Sequence, residues 1–174
     1  SLYTGTHVQL RPRFGQYIVS TCVKNILSKG CKKVINGSIC RFGKTYCMAC
    51  DVINSNSNLF VFITSQPKTI AAISSIFLKY DDFKGYELFD FSNVDDIKKF
   101  NGIKTVEKKT IIFVSIQTLK SKGKGKIIKN LKKFKPLCLI DEFHTSGGTI
   151  ETTKIIKKHG LHQAVTIFYS ATYE

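Results

Sequence analysis

Two hydrophobic periods alternate along the 174-residue chain and predict an α/β fold, with a mainly parallel central sheet and helices on both faces. Three observations carry this expectation. Short apolar runs such as Leu59 to Ile63, Ile111 to Ile116 and Leu137 to Ile140 have the length and composition of strands buried on both sides. Between such runs lie stretches with apolar residues at three- and four-residue spacing, the mark of amphipathic helices. Strand and helix alternate throughout, and right-handed crossovers then distribute the helices over the two faces.

Taken in order, residues 14–29 read as a helix on Tyr17, Ile18, Cys22, Val23, Ile26 and Leu27, stopped by Gly30. Val34-Ile35 is a first strand, followed by a glycine loop and a helix to about residue 53. Asn54 to Asn58 is a polar turn, and Leu59 to Ile63 the second strand. Pro67 suits the first turn of a helix running to about Tyr80, with Ile70, Ile73, Ile76 and Phe77 inward. Residues 85–92 read as a strand followed by a charged connection, 111–116 as a strand followed by a short helix, and 137–140 as a strand. Residues 149–159 read as a helix and 165–169 as the last strand. No internal repeat or interdomain linker interrupts the pattern, so residues 1–174 read as one domain.

Composition narrows the class. An apolar content of 43% excludes a disordered chain. No uncharged apolar stretch reaches the ~18 residues of a membrane span, and Ser1 to Gly5 lacks the basic and apolar regions of a signal peptide. The six cysteines, at 22, 31, 40, 47, 50 and 138, lack zinc-finger spacing and read as reduced thiols of an intracellular protein. The net charge of +15, from 27 basic and 12 acidic residues, favours a polyanionic partner, nucleic acid first. Its densest source is Lys120 to Lys135, with eight lysines in sixteen residues. That stretch reads as a basic loop and helix, with Ile127, Ile128, Leu131 and Phe134 packed inward and the lysines facing out. Affinity from such a surface is sequence-blind and salt-sensitive.

Gly37-Ser38-Ile39-Cys40-Arg41-Phe42-Gly43-Lys44-Thr45 fits the phosphate-loop pattern, and it lies between a strand and a helix, as that pattern requires. Gly37 and Gly43 allow positive φ and close backbone approach to a phosphate. The helix N-terminus directs partial positive charge at the anion. Lys44 would reach the outer phosphates of ATP, and the Thr45 hydroxyl would hold Mg2+. The other half of such a site is Asp141-Glu142, which follows an apolar strand. Two acids there are costly unless they sit at the strand's carboxyl end, in a ligand crevice. Asp141 would hold Mg2+ through water, and Glu142 would orient or deprotonate the attacking water. This reading requires Lys44 and the acid pair to face one another across a single crevice, at the ends of neighbouring strands.

With these motifs in order, the chain resembles the first, RecA-like motor domain of a superfamily two helicase or translocase, in the DEAD-like and restriction-subunit-like branch. Gly37 to Thr45 matches the family's first motif, and Asp141-Glu142-Phe143-His144 the Asp-Glu-x-His form of its second. Ser170-Ala171-Thr172 matches the third, which links hydrolysis to movement on nucleic acid. Arg11-Pro12 with Gln16 is similar to the adenine-recognition element, with the glutamine two residues further on than in the family's Arg-Pro-x-Gln. Arg41 in the loop resembles the Arg-x-Gly-Lys-Thr loops of phage-like and virus-like relatives and would touch phosphate or pair with a neighbouring acid. The resemblance implies coupling roles for His144, Ser170 and Thr172. It also implies backbone contacts to nucleic acid from Thr64 and Ser65 and from Gln117 and Thr118, beside the lysines Lys122, Lys124 and Lys126.

The family implies an ATP–Mg2+ motor on nucleic acid, DNA favoured over RNA, inside a cell or, for a viral protein, its host. It also implies a second RecA-like domain further along the same full-length chain, carrying an arginine finger. The 174 residues alone are then expected to bind ATP–Mg2+ weakly, hydrolyse it poorly and leave duplexes wound. A P-loop phosphotransferase and a nucleic-acid-binding module with a weak nucleotide site are the alternatives. The first leaves Ser170 to Thr172 unexplained, and intact Lys44, Thr45, Asp141 and Glu142 argue against the second.

Overall fold

Continuous apolar runs force their strands into the middle of the molecule, and a computed structural model shows how they pair. It describes residues 9–37, 43–129, 131–141 and 148–170. The strands are β1 (Lys33–Asn36), β2 (Leu59–Thr64), β3 (Glu87–Asp90), β4 (Thr110–Ser115), β5 (Leu137–Ile140) and β6 (Thr166–Tyr169). They form one sheet in the order β1-β6-β5-β2-β4-β3, and every pairing is parallel. The most apolar strands, β2, β4 and β5, are buried at every position and occupy the interior. Edge strand β1 alternates exposed and buried residues.

Helices α1 (Phe14–Ser28), α2 (Lys44–Asn54) and α3 (Thr69–Lys79) cover one face. Their inward residues, Val23, Met48, Val52, Ile73 and Phe77 among them, pack on Phe60, Phe62, Ile111, Leu139 and Tyr169. The other face carries α4 (Val94–Asn101), α5 (Ile116–Lys120), α6 (Lys124–Ile127) and α7 (Gly148–Lys158). There Ile97, Phe100, Leu119 and Ile156 pack on Val61, Ile63, Ile112, Val114 and Ile140. The period-two alternation of the strands thus divides one sheet between two cores.

The connection after β3 departs from expectation, because residues read as a charged link form α4. Asn93 caps it by accepting the Asp95 N–H at 2.9 Å, and Asp95 and Asp96 occupy the first turn. Lys98 and Lys99 stand in the last turn. Charge arranged with the helix dipole lets a short segment form once Ile97 and Phe100 are buried. The lysine-rich stretch also differs from a single basic loop and helix. It breaks into the end of α5, the four-residue α6 and a 3-10 turn at Lys132–Phe134. Gly125 packs so closely that a Cβ there would lie 2.4 Å from the Leu119 carbonyl oxygen.

Candidate nucleotide site

Parallel register brings the carboxyl ends of the strands to one rim. Asn36 lies opposite Tyr169 and Ile140 opposite Phe168, so Asp141, the next residue, is level with Tyr169. Ile63 opposite Ile140, and Thr64 opposite Ser115, continue the row across the sheet. The ladder runs past the strand ends, with Asp141 N–H donating to Ile63 O at 2.8 Å and Ser170 N–H to Asn36 O at 3.1 Å. Ser170 is thereby held beside Gly37, where the glycine loop begins. The strands leading to Lys44 and to Asp141 are separated by β6 rather than adjacent, which corrects the expected neighbouring arrangement. That insertion widens the crevice by one strand and puts Ser170 between the two halves.

Lys44 opens α2 and reaches across this gap. Its Nζ lies 2.7 Å from Asp141 Oδ1, with the lysine side chain 24% exposed and the aspartate 5%. Thr45, half-buried, follows in the first turn of the helix. Gly43 holds φ +81, the left-handed conformation that glycine takes without strain. A Cβ on Gly43 would come within 2.3 Å of Gln16 Nε2. Gln16 is 4% exposed, and its Oε1 accepts the Arg13 N–H at 2.9 Å, closing the first turn of α1. It therefore joins α1 to the end of the glycine loop. Arg11 is exposed just ahead of that helix.

Behind α2 lies a polar network that sequence reading missed. Asp51, two turns beyond Lys44, accepts a hydrogen bond from Ser20 Oγ of α1 at 2.7 Å and a second from the Tyr169 hydroxyl of β6. Asn54 Nδ2 donates to Ser20 Oγ at 2.9 Å. Burial pushes the Asp51 carboxyl up from 3.8 to about 6, against the opposing pull of its two hydroxyl donors. Tyr169 is raised well above its ordinary value by burial and by Asp51. The signal available in sequence was an acid inside an otherwise apolar helical run, Tyr46 to Ile53. Cys47 and Cys50 share this packed region, and burial raises their thiols to about 12 and about 11, keeping them protonated and unreactive.

The other half of the rim is built differently. Thr64 is fully buried, and its hydroxyl accepts the Gln66 N–H at 3.1 Å and meets Thr69 Oγ1 at 3.2 Å. The Thr64 hydroxyl thus shapes the turn that exposes Ser65. The exposed Gln117 donates to Ser65 O at 2.8 Å, tying the β2 and β4 ends together. Thr118 bonds back to Ser115, through its N–H at 3.1 Å and its hydroxyl at 3.0 Å. Lys124 Nζ donates to Ser92 O and borders, with Gln117 and Thr118, a groove of about 600 Å3. Lys122 and Lys126 are exposed nearby on the same segment. Arg41, Glu142, His144 and Thr172 lie outside the described residues.

The donor set suits a magnesium–nucleotide complex. An ammonium and a nearly buried carboxylate meet there, and Thr45 follows the lysine in the first turn of α2. No helix among the described residues is long and apolar enough to cross a membrane.

Comparison with known proteins places these features in context. Residues 9–174 match the family described as Type III restriction enzyme, res subunit. The fold is similar to that of the Sulfolobus solfataricus SWI2/SNF2 ATPase core in complex with dsDNA, with a TM-score of 0.67 at 14% identity. The superposition covers 100% of this chain and 34% of that one, so the chain spans about a third of its length. No curated protein sequence matches.

Proposed function

The chain belongs to the Type III restriction enzyme res-subunit family and carries the RecA-like fold of a helicase-type ATPase motor domain, and on that premise we propose that it binds and hydrolyses ATP to drive movement on nucleic acid, DNA in preference to RNA. The observation that carries this reading is the 2.7 Å ion pair between Lys44 and Asp141 across the end of β6. Two charges that far apart in sequence gain little from meeting in a half-buried crevice unless each can exchange its partner for a ligand.

Mg2+-ATP, when bound, supplies the anhydride bond and a cation that neutralises charge on the transferred phosphate. Lys44 would exchange Asp141 for the outer phosphate oxygens, and the freed Asp141 and the Thr45 hydroxyl would hold the metal. Glu142 would orient the attacking water and accept its proton. Gln16, wedged on Gly43, would keep the glycine loop in register with α1. Ser170, with Thr172 and His144, would relay the state of this crevice to the rim where Ser65, Gln117 and Thr118 meet the nucleic-acid backbone. Residues 1–174 form one motor unit, completed in an intracellular protein by a second RecA-like domain. The dsDNA held by the Sulfolobus relative supports the choice of DNA.

The test is nucleic-acid-stimulated ATP hydrolysis by the full-length protein. Lys44→Ala and Glu142→Gln should each reduce turnover by roughly 100-fold or more, the scale of losing one electrostatic stabiliser. Stimulated hydrolysis that survives both substitutions would remove this reading.

A further inference from the structure

Tertiary structure divides the lysine run between opposite ends of the sheet, and the nucleotide-side rim uses only its first half. Lys122, Lys124 and Lys126 stay near the carboxyl rim, where Lys124 reaches Ser92. Lys132, Lys133 and Lys135 precede β5 and therefore sit at the amino-terminal end. There they meet Lys32, just ahead of β1, and the turn ahead of β6. Together these segments border a groove of about 620 Å3 floored by Pro136 and Gly160. A strand of four to six residues separates the two rims by roughly 13–20 Å.

The groove is one-signed by construction. No Asp or Glu occurs at positions 1–50, 108–140 or 152–173, the segments that supply its walls. Seven of the twelve acids instead fall between 81 and 107, on and around β3 and α4 at the far edge of the sheet. All four lysines bordering the groove are exposed. Lys33, next along the chain from Lys32 and also exposed, donates to Ala164 O at 2.7 Å and Thr166 Oγ1 at 3.0 Å, both neutral acceptors. Its charge adds to the field without a carboxylate to cancel it.

Backbone detail at the groove places the stem of Lys132. The stem of Lys132 lies where a side chain on Gly160 would go, its Cδ 2.6 Å from that Cβ position. The methylenes thus rest on bare backbone and the charge extends beyond it. Lys135 holds φ +49, the one non-glycine residue with positive φ among those described. Glycine or asparagine would take that conformation with less strain; what lysine adds there is charge.

We propose that this lysine groove at the amino-terminal end of the sheet binds the phosphate backbone of a nucleic-acid duplex, separate from any segment on the carboxyl rim. Point charges on flexible stems, without arginine forks, fit a repeated anion such as a phosphodiester track and carry no base readout. With a basic surface at each end, one molecule can hold two duplex segments. The inference stands on the groove alone and does not need the nucleotide site to turn over.

The experiment uses the variant Lys32→Gln, Lys132→Gln, Lys133→Gln, Lys135→Asn, which keeps side-chain stems and, at 135, a residue tolerant of left-handed backbone. Binding to a fluorescent 20-base-pair duplex is measured across a salt series, alongside bridging of two differently labelled duplexes by energy transfer. The variant should lose bridging and show a log–log salt slope shallower by roughly 3–4, since each neutralised phosphate contributes about 0.9. Basal ATP hydrolysis should stay as in the parent, and the melting temperature should not fall. An unchanged salt slope with bridging intact overturns the proposal. So does a variant that binds and bridges duplex as before yet loses binding to polyglutamate, which would assign the groove to an acidic protein instead. Lys122→Gln with Lys126→Gln provides the contrasting arm, weakening duplex binding while the remaining slope still depends on the groove.

Discussion

The two helical layers are built on different physics although they share one sheet. The layer formed by α4 to α7 is held by apolar packing around Phe100. Phe89 and Phe91 pack edge or tilted against Phe100, with ring centroids at 5.7 and 5.6 Å, and Phe134 meets Phe100 at 6.0 Å. The layer containing α2 also has an apolar core, but a buried carboxylate is set into it, held by hydroxyls from α1 and β6. Apolar packing is tolerant of small sliding movements, whereas hydrogen bonds to one carboxylate fix three elements in a single register. The elements so fixed carry Gln16, Lys44 and Ser170. Directional bonding is placed where the end of the glycine loop, its helix and the residue after β6 keep their spacing, although it buries an ionisable group.

The largest expected effect breaks the apolar layer around Phe100. Phe100→Ala removes the ring at the centre of that cluster and should cost about 3–5 kcal/mol, read as a lower urea midpoint with the pH dependence of stability unchanged. The polar layer should answer to pH instead. Because Asp51 is raised from 3.8 to about 6 in the folded chain, the folded state holds this proton more tightly than the unfolded state. Its stabilising contribution is complete below about pH 4 and is lost as pH rises through about 6. The size is on the order of 2–3 kcal/mol. Denaturant midpoints across that window should slope for the parent and flatten for Asp51→Asn; identical slopes would show that the carboxyl titrates elsewhere.

Tyr169→Phe should cost about 1–3 kcal/mol near neutral pH by leaving one carboxylate oxygen without its hydroxyl donor. It should also carry the Asp51 transition to higher pH, since that hydrogen bond holds the carboxyl down. The smallest effect sharpens the contrast from the other side. Asn93→Ala removes the cap of α4 and should cost about 1 kcal/mol, measured by thermal melting, with nucleotide binding untouched.

Much of the proposed site was legible before any coordinates, for a local reason. Glycine at 43, lysine at 44 and an acid straight after an apolar strand are each demanded by chemistry within a few residues, so spacing reveals them. Strand positions were legible because burial on both faces leaves continuous runs such as Leu59 to Ile63. Helix α4 was readable too, from Asn93, the acids after it and the lysines before Gly102. It was overlooked because its apolar residues are few and its charges many.

Sequence alone indicated where most strands lie and marked Gly43, Lys44 and Asp141 as candidates for a ligand site, because backbone periodicity and turn chemistry act over short range. Only tertiary structure decided that β6 stands between Lys44 and Asp141, and that Thr64 is sealed inside its own turn. The pairing of Asp51 with Tyr169, 118 positions apart, and the division of one lysine run between two rims were decided there as well. Those outcomes depend on strand order, and strand order is chosen by which apolar faces pack best together, a global competition that no local pattern records.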